Sequence, residues 1–507
     1  MPSFKNWKFT RMRTLMTRMT LEPSEYVELK ECFAGGFTHA NAHRVQKLCT
    51  KVGSFDFTSS YPSVMVAEKF PITRGKYLGS VELKYILENI EKKCFMFRLE
   101  LFDVEPLIDC DHPISYYKCS ADDTVIEAGK RVKDCVLDNG RIVYAQHLIT
   151  TCTEQDLLTY LEFYKWDMDR MRIFDCYEYT KQYLPYPFVA SILKLYEDKT
   201  KLKDVDGEEV NYQIAKGMLN SLYGMTVTDI VREELYYDNS HVNNKGEWQP
   251  FFSNYDLMKE KGRDEEERLY NEFLIEQIDR YNANPYRFLF YVWGVWVTAY
   301  ARRNLFCGIR ECAKDYIYAD TDSIKILNPM KHMDYIEKYN AEITAKLEKA
   351  CIFHELDFSL TKPKNKYGEE KPLGIWEFEG VYDEFMTLGA KRYMWRKDDK
   401  WTLTVAGVNK TSGMQYLLKL AEEKSNSKKK YTPFDFFNLD LTFPTSYSGR
   451  NVLTYIDQEM SGEIEDYLGN VNTFDELSSI HMEATEYSMN PMQNFLNYLF
   501  SIKEDSW

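Results

Sequence analysis

Alternating apolar and polar positions over residues 316–326 predict a β-hairpin. Tyr316, Ile317, Tyr318 and Ala319 lead into the polar tip Asp320-Thr321-Asp322-Ser323, and alternation resumes through Ile324, Lys325 and Ile326. The same period places a strand through Phe55 and Phe57, with Pro62 ending it or opening the next helix at its first turn. Further strands are expected over 94–102 and 373–379. Helical spacing marks 81–90, 156–164, 187–199, 211–224, about 290–310 and 335–349. A polar turn at 204–209 separates the third of these from the fourth, and Gly224 ends the fourth as a helix-terminating glycine. Within that fourth helix Lys216, Asn220 and Tyr223 share one face. Ile214, Met218 and Leu222 form another, read as an apolar stripe backing the polar one. Residues 227–288 read as an insertion, with a turn-rich stretch at 238–246 and a charge run at 259–268 that suits a solvated helix face or a loop.

At 507 residues the chain exceeds one ordinary domain, and 44% hydrophobic with 15% aromatic residues is a globular composition. No apolar run approaches the length of a membrane span, and no membrane partner is expected. Lys5, Lys8, Arg11, Arg13 and Arg18 open the chain without a following apolar region, which excludes a secretory signal. Eleven cysteines, with no C-x-x-C pair and no histidines at zinc spacing, suggest free thiols in a reducing compartment. The net charge of −15 argues against a protein that coats nucleic acid. It leaves open a locally basic channel, for which 362–366, 391–396 and 428–430 are the candidates.

Chemistry concentrates at a few places. Two carboxylates one residue apart at a hairpin tip, Asp320 and Asp322, can converge on a hard divalent cation, although Asp and Ser are also ordinary turn residues. Asp56 either caps the helix that follows it or supplies a third carboxylate. The Lys216–Asn220–Tyr223 face either holds a nucleoside triphosphate or is simply solvated. Basic residues interleaved with aromatics around Lys391, Arg392 and Tyr393 suit a phosphate backbone, with snorkelling strand residues as the alternative. Gly35 and Gly36 mark a turn where backbone approaches something closely. Asp103 and Glu105 have no companion acidic motifs and are assigned no role.

Four motifs then occur in one order. They are Asp56-Phe57-Thr58-Ser59-Ser60-Tyr61-Pro62, Lys216 through Asn220, Ser221, Tyr223 and Gly224, Tyr318-Ala319-Asp320-Thr321-Asp322-Ser323, and Lys391-Arg392-Tyr393. Their patterns and order resemble family B DNA polymerases from about residue 26 onward. Ala34-Gly35-Gly36-Phe37-Thr38, just ahead of the first carboxylate motif, is similar to the protein-primed branch from linear-genome phages and plasmids. The resemblance implies an α+β right-hand polymerase: a palm with an antiparallel sheet (31–75 and 289–395), helical fingers (183–226) and a thumb (396–507). Two insertions, 76–182 and 227–288, fall where that branch carries its terminal-protein regions. Residues 1–30 would be a basic segment, the remnant of a linker to an absent 3′–5′ exonuclease domain, so proofreading is expected to reside elsewhere. Ser60 stands where the family usually has Leu.

The resemblance further implies two-metal phosphoryl transfer. Asp56, Asp320 and Asp322, with the carbonyl of Phe57, would hold two Mg²⁺ ions, Mn²⁺ being able to substitute. Lys199 and Lys216 would take the dNTP triphosphate, Tyr61 would exclude a ribose 2′-hydroxyl, and Asn220 and Tyr223 would line the nascent base pair. Gly35, Gly36, Lys391 and Tyr393 would contact DNA. The expected partners are primer–template DNA, dNTPs, a terminal-protein primer and a separate exonuclease subunit. The setting would be the cytoplasm of a bacterial host. The competing reading is a catalytically silent DNA- or primer-protein-binding remnant.

Overall fold

The computed structural model describes residues 12–121, 132, 134–232, 263–284, 286–458, 462–465, 471–474 and 477–504. The turn-rich stretch at 238–246, the start of the charge run at 259–262, and Lys5, Lys8 and Arg11 lie outside the described residues. The remainder of the charge run begins a helix, Arg263–Ala283. The chain divides into two compact units. The first comprises Met1–Phe37, Asp56–Glu311 and His332–Glu377, and the second Thr38–Phe55, Cys312–Lys331 and Phe378–Trp507.

The first unit is built on an eight-stranded sheet. Its central strand, Lys93–Pro106, pairs antiparallel with Arg141–Thr153 on one side and Arg172–Gln182 on the other. That strand is nearly continuously apolar from Cys94 to Leu101 and is buried over most of its length, as a strand covered on both faces must be. The helix Tyr291–Cys312 is apolar on every side of its first turns, so it is buried rather than amphipathic, with Trp293 and Trp296 fully enclosed. Each indole finds an acceptor. Trp293 Nε1 donates to the Pro71 carbonyl at 2.8 Å, and Trp296 Nε1 donates to the Glu154 carboxylate at 3.0 Å. At Gly294 a Cβ would stand 2.2 Å from Val227 Cγ1 and 2.6 Å from Thr226 Oγ1, so only glycine admits the close approach of this helix to that segment.

Two helices, Tyr186–Leu202 and Glu209–Gly224, pack side by side across a turn in which Gly207 takes φ +82°. Here the sequence expectation needs correction. The second helix buries Ala215 and Leu219, whereas Ile214 and Met218 are each 54% exposed. A helix touches its neighbours along one narrow line, and that line runs through Ala215 and Leu219. The first turns of both flanking faces, Ile214 and Met218 on one and Lys216 and Asn220 on the other, are left towards solvent, while Leu222 and Tyr223 near the helix end are partly buried against the core. Residue 81 belongs to the strand Lys76–Val81, and the helix expected from there starts two residues later as Leu83–Asn89.

The second unit carries a seven-stranded sheet in the order Thr38–Ala40, Tyr316–Asp320, Ser323–Ile326, Cys49–Phe57, Trp376–Gly389, Arg392–Lys397, Lys400–Val405. The expected hairpin is there, with Asp320 opposite Ser323. The strand expected at 373–379 begins at Trp376 and runs on to Gly389, because its long antiparallel partnership with Arg392–Lys397 extends it. After the sheet comes the helix Lys410–Lys424, whose N-cap Asn409 side chain accepts from Thr411 and Ser412 backbone N–H groups. Among the described residues no helix is long and apolar enough to cross a membrane.

One buried acid in the first unit sets a pH dependence. Glu25, in the helix Pro23–Cys32, is fully enclosed and accepts from Tyr179 Oη at 2.8 Å; burial pushes its pKa up from 4.5 to about 7. Because the folded-state pKa lies above the unfolded one, the native state retains a proton that the unfolded chain loses. Stability therefore falls as pH rises from about 4.5 to 7 and is flat beyond. Glu25→Gln should remove this slope and be more stable than wild type at pH 8 by on the order of 3 kcal/mol, read as a difference in thermal melting across that range.

Candidate active site

The hairpin tip in the second unit brings two carboxylates together by local geometry. Asp322 N–H donates to the Asp320 carbonyl at 2.6 Å, closing a tight turn in which Thr321 takes φ +58°. Asp320 is fixed from several directions. Thr38 Oγ1 donates to its carboxylate at 3.0 Å from the neighbouring strand, where Thr38 is its register partner, and Thr321 Oγ1 donates at 3.3 Å. The Lys391 ammonium reaches both Asp320 oxygens. Asp322 is half-buried, and its carboxyl is pushed up to about 6. Burial is the larger cause and the Asp320 charge the next, while Lys325 and Lys391 pull the other way. Two carboxylates crowded at one tip, one with its ionisation resisted and the other covered by an amine, form a site short of positive charge. Their hard-oxygen donor set suits a divalent cation such as Mg²⁺.

Beneath the tip lies a buried cation that sequence reasoning passed over. Lys325, 6% exposed, donates to Ser54 Oγ at 2.7 Å; Ser54 in turn donates to Glu379 at 2.6 Å, and the Glu379 carboxylate lies 3.8 Å from the ammonium. Its strand alternation was visible, but nothing local marked its partners. Tyr318 was likewise unassigned, although its hydroxyl accepts the Lys391 backbone N–H at 3.1 Å and its ring lies 4.8 Å from that of Tyr393. Lys391, Tyr393, Asp320 and Asp322 thus form one cluster within the second unit.

The remaining candidates lie in the first unit. Asp56 is the penultimate residue of the strand Cys49–Phe57, and Phe57 stacks on Trp376 at 3.5 Å between ring centroids. Thr58 is then tied to the segment before Trp376: its N–H donates to the Ile375 carbonyl at 3.0 Å, and its carbonyl accepts the Gly374 N–H at 2.8 Å. Ser59 follows in a left-handed conformation, φ +59°, and accepts the Lys199 ammonium on its hydroxyl at 2.9 Å. The Tyr61 and Tyr223 rings pack at 4.3 Å. Lys216 and Asn220 stand exposed on the helix Glu209–Gly224. The structure therefore joins Tyr61 to Tyr223 and Lys199 to Ser59, and leaves Lys216 and Asn220 open.

Gly35 and Gly36 also lie in the first unit, in an irregular segment between the helix Pro23–Cys32 and the strand Thr38–Ala40 in which no turn forms, contrary to the expectation from the glycine pair. Arg302 from the buried helix donates to the Ala34 carbonyl and to that of Gly35, and a second guanidinium nitrogen donates to Asp156 at 2.8 Å. At Gly35 no protein atom lies within 4 Å of where a Cβ would stand, and φ is not positive. Neither packing nor backbone conformation demands glycine there.

Residues 5–268 match the model of the organellar and viral type B DNA polymerases. The chain belongs to that family. It is accordingly a DNA-directed DNA polymerase. The matched residues contain Asp56 and the Lys216–Gly224 motif, and the hairpin carboxylates lie beyond them. The fold of this polymerase resembles that of phi29 DNA polymerase in an orthorhombic crystal form, at 14% identity and a TM-score of 0.53, covering 96% of this chain and 67% of that one. It is similar to phi29 DNA polymerase complexed with primer–template DNA, at 15% identity and a TM-score of 0.55, covering 96% and 66%. A third similar structure is phi29 DNA polymerase with primer–template DNA and incoming nucleotides, at 15% identity and a TM-score of 0.54, covering 96% and 67%. The polymerase thus spans about two thirds of the length of these structures. No curated protein matches it in sequence.

The support under the first carboxylate can be tested. Gly374 takes φ +75°, and a Cβ there would stand 2.5 Å from Ser63 Cβ. Gly374→Ala should lower stability by about 2–4 kcal/mol, strain and overpacking acting together, and should appear as a drop in melting temperature with loss of activity.

Proposed function

We propose that this polymerase adds dNTPs, under template direction, to a primer 3′-hydroxyl in primer–template DNA. The observation that carries the reading is the Asp320–Asp322 pair, held by Thr38 and covered by Lys391, at the tip of the hairpin that bears the family's D-T-D-S motif. Asp56, Asp320 and Asp322, with the Phe57 carbonyl, would hold two divalent ions, Mg²⁺ in the first place. Bound there, the ions would favour the 3′-oxyanion and neutralise charge on the triphosphate and leaving pyrophosphate.

The chain's own residues do the rest. Lys199, anchored on Ser59, and Lys216, open to solvent, present two ammonium groups for the triphosphate. Tyr61 is braced by Tyr223, so its ring has little freedom to yield to a ribose 2′-hydroxyl. Lys391 and Tyr393 hold the primer strand, the lysine exchanging its contact with Asp320 for a primer phosphate. The layout follows the right-hand plan, with a palm of 31–75 and 289–395, fingers of 183–226, a thumb of 396–507, and insertions at 76–182 and 227–288. Priming by a terminal protein is supported by the Ala34-Gly35-Gly36-Phe37-Thr38 motif and by those two insertions. A silent remnant is disfavoured because all three carboxylates are kept.

Extension of a 5′-labelled, 3′-recessed primer with Mg²⁺ and four dNTPs tests the assignment. The wild type should extend, chelation with EDTA should stop it, and Asp322→Ala should lose roughly 10²–10³-fold or more in rate. Wild-type rates in Asp322→Ala would remove the carboxylate pair from the mechanism. Tyr61→Val should raise incorporation of ribonucleotides relative to deoxynucleotides, and an unchanged ratio would remove the sugar gate.

A further inference from the structure

Two lysines serve the hairpin carboxylates in the second unit, and only one of them is free to move away. Lys391 sits in the turn between Trp376–Gly389 and Arg392–Lys397 with its side chain 47% exposed, so it can release Asp320 to water or to a phosphate. Lys325 is buried in the strand Ser323–Ile326, three residues past Asp322.

Three neighbouring strands hold its ammonium in place. Ser54 Oγ, fully buried on the next strand, accepts from Lys325 and commits its single proton to Glu379 on the strand beyond. Tyr382, on the same strand as Glu379, donates its hydroxyl to that Ser54 oxygen at 3.4 Å, and its ring lies 6.0 Å from the ammonium. Burying an ammonium is costly, and an apolar side chain of the same reach would pack there without that cost. Glu379 offsets the charge only in part, because it lies 3.8 Å away and its side chain is 49% exposed, where water weakens the pair. The field of Lys325 also reaches the hairpin tip. It pulls the Asp322 pKa down more than the charge of Lys391 does, although it is Lys391 that touches the Asp320 oxygens.

A fixed positive charge beneath a divalent-ion site acts in one direction: it weakens the hold of the carboxylates on the ion. Weak hold suits this chemistry. Mg²⁺ is generally bound by one or two carboxylates together with substrate phosphates, not by a cage of protein ligands. Carboxylates that grip loosely leave the triphosphate to complete the ligand set and let pyrophosphate depart. We propose that Lys325 is a positioning residue that, through its charge, keeps the affinity of the Asp320–Asp322 pair for divalent ions low in the free polymerase. The inference rests on the divalent-ion reading of the tip given above.

Binding of Mn²⁺ alone to the full-length polymerase, without DNA or nucleotide, tests it, with free ion read by electron paramagnetic resonance. The binding that Asp322→Ala removes identifies the site at the tip. Lys325→Met should bind Mn²⁺ there about three- to tenfold more tightly than wild type, the effect of one nearby charge under the screening typical of a protein. Lys325→Arg, which keeps the charge, should show no gain. The sign separates charge from scaffolding, since a lysine that merely braced the strands would, once removed, loosen the carboxylates and weaken binding. Should Lys325→Met fail to fold, Lys325→Gln, which can still donate to Ser54 but carries no charge, decides by the same sign. Unchanged or weaker binding in the folded neutral variant, with Asp322→Ala still losing the site, would overturn the proposal and leave the divalent-ion reading intact. Equal binding by wild type and Asp322→Ala would overturn that reading, and this proposal with it.

Discussion

Like charges cannot be crowded together without compensation, and the second unit is organised around that constraint. Asp320 and Asp322 are brought to one hairpin tip by a turn too tight to separate them, and partial burial of Asp322 raises the cost of charging it. The surrounding sheet answers with donors and cations. Thr38 comes from one neighbouring strand, Lys391 from the turn beyond a distant one, and Lys325 from below with Ser54 and Glu379. A tip so arranged accepts a stronger positive charge readily, because its own cations only partly meet the need. Rigidity follows from the same contacts, since a strand ladder on each side leaves the carboxylates little freedom to move apart.

The first unit handles buried charge differently, and the contrast is informative. Glu154 is enclosed but receives Trp296 Nε1, the Phe95 N–H and a Gln155 amide, and the Asp156–Arg302 pair adds the backbone carbonyls of Ala34 and Gly35 to its partners. Such groups are satisfied within the fold and serve structure. Lys118 and Arg141, in the same neighbourhood, donate to the Lys30 and Pro113 carbonyls, with Glu31 and Asp111 as the acids that offset their burial.

The separation of catalytic parts along the chain also has a physical logic. Asp56 closes a strand whose last turn is clamped by Trp376 stacking on Phe57 and by the hydrogen bonds of Thr58, so the first carboxylate is placed by contacts with a segment more than three hundred residues later in the chain. Lys199 and Tyr61 are braced in the same manner, each by one partner from another helix or loop. Residues that must meet substrate are thus held by neighbours that need not.

Much was legible from residue order alone. The D-T-D-S hairpin, the helices around Lys199 and Lys216, the strand that carries Asp56 and the order of the motifs all follow from periodicity and turn chemistry between residues a few positions apart. The polymerase family followed from those motifs. Tertiary structure decided what lies between distant segments. Ile214 and Met218 looked like a packing stripe, yet the helix meets its neighbours along Ala215 and Leu219. The Lys391–Asp320 contact spans 71 residues, and Arg302 reaches Ala34 across 268. Local pattern records which face of an element is apolar. Only packing determines which face is covered, and only the assembled fold shows which charged groups meet.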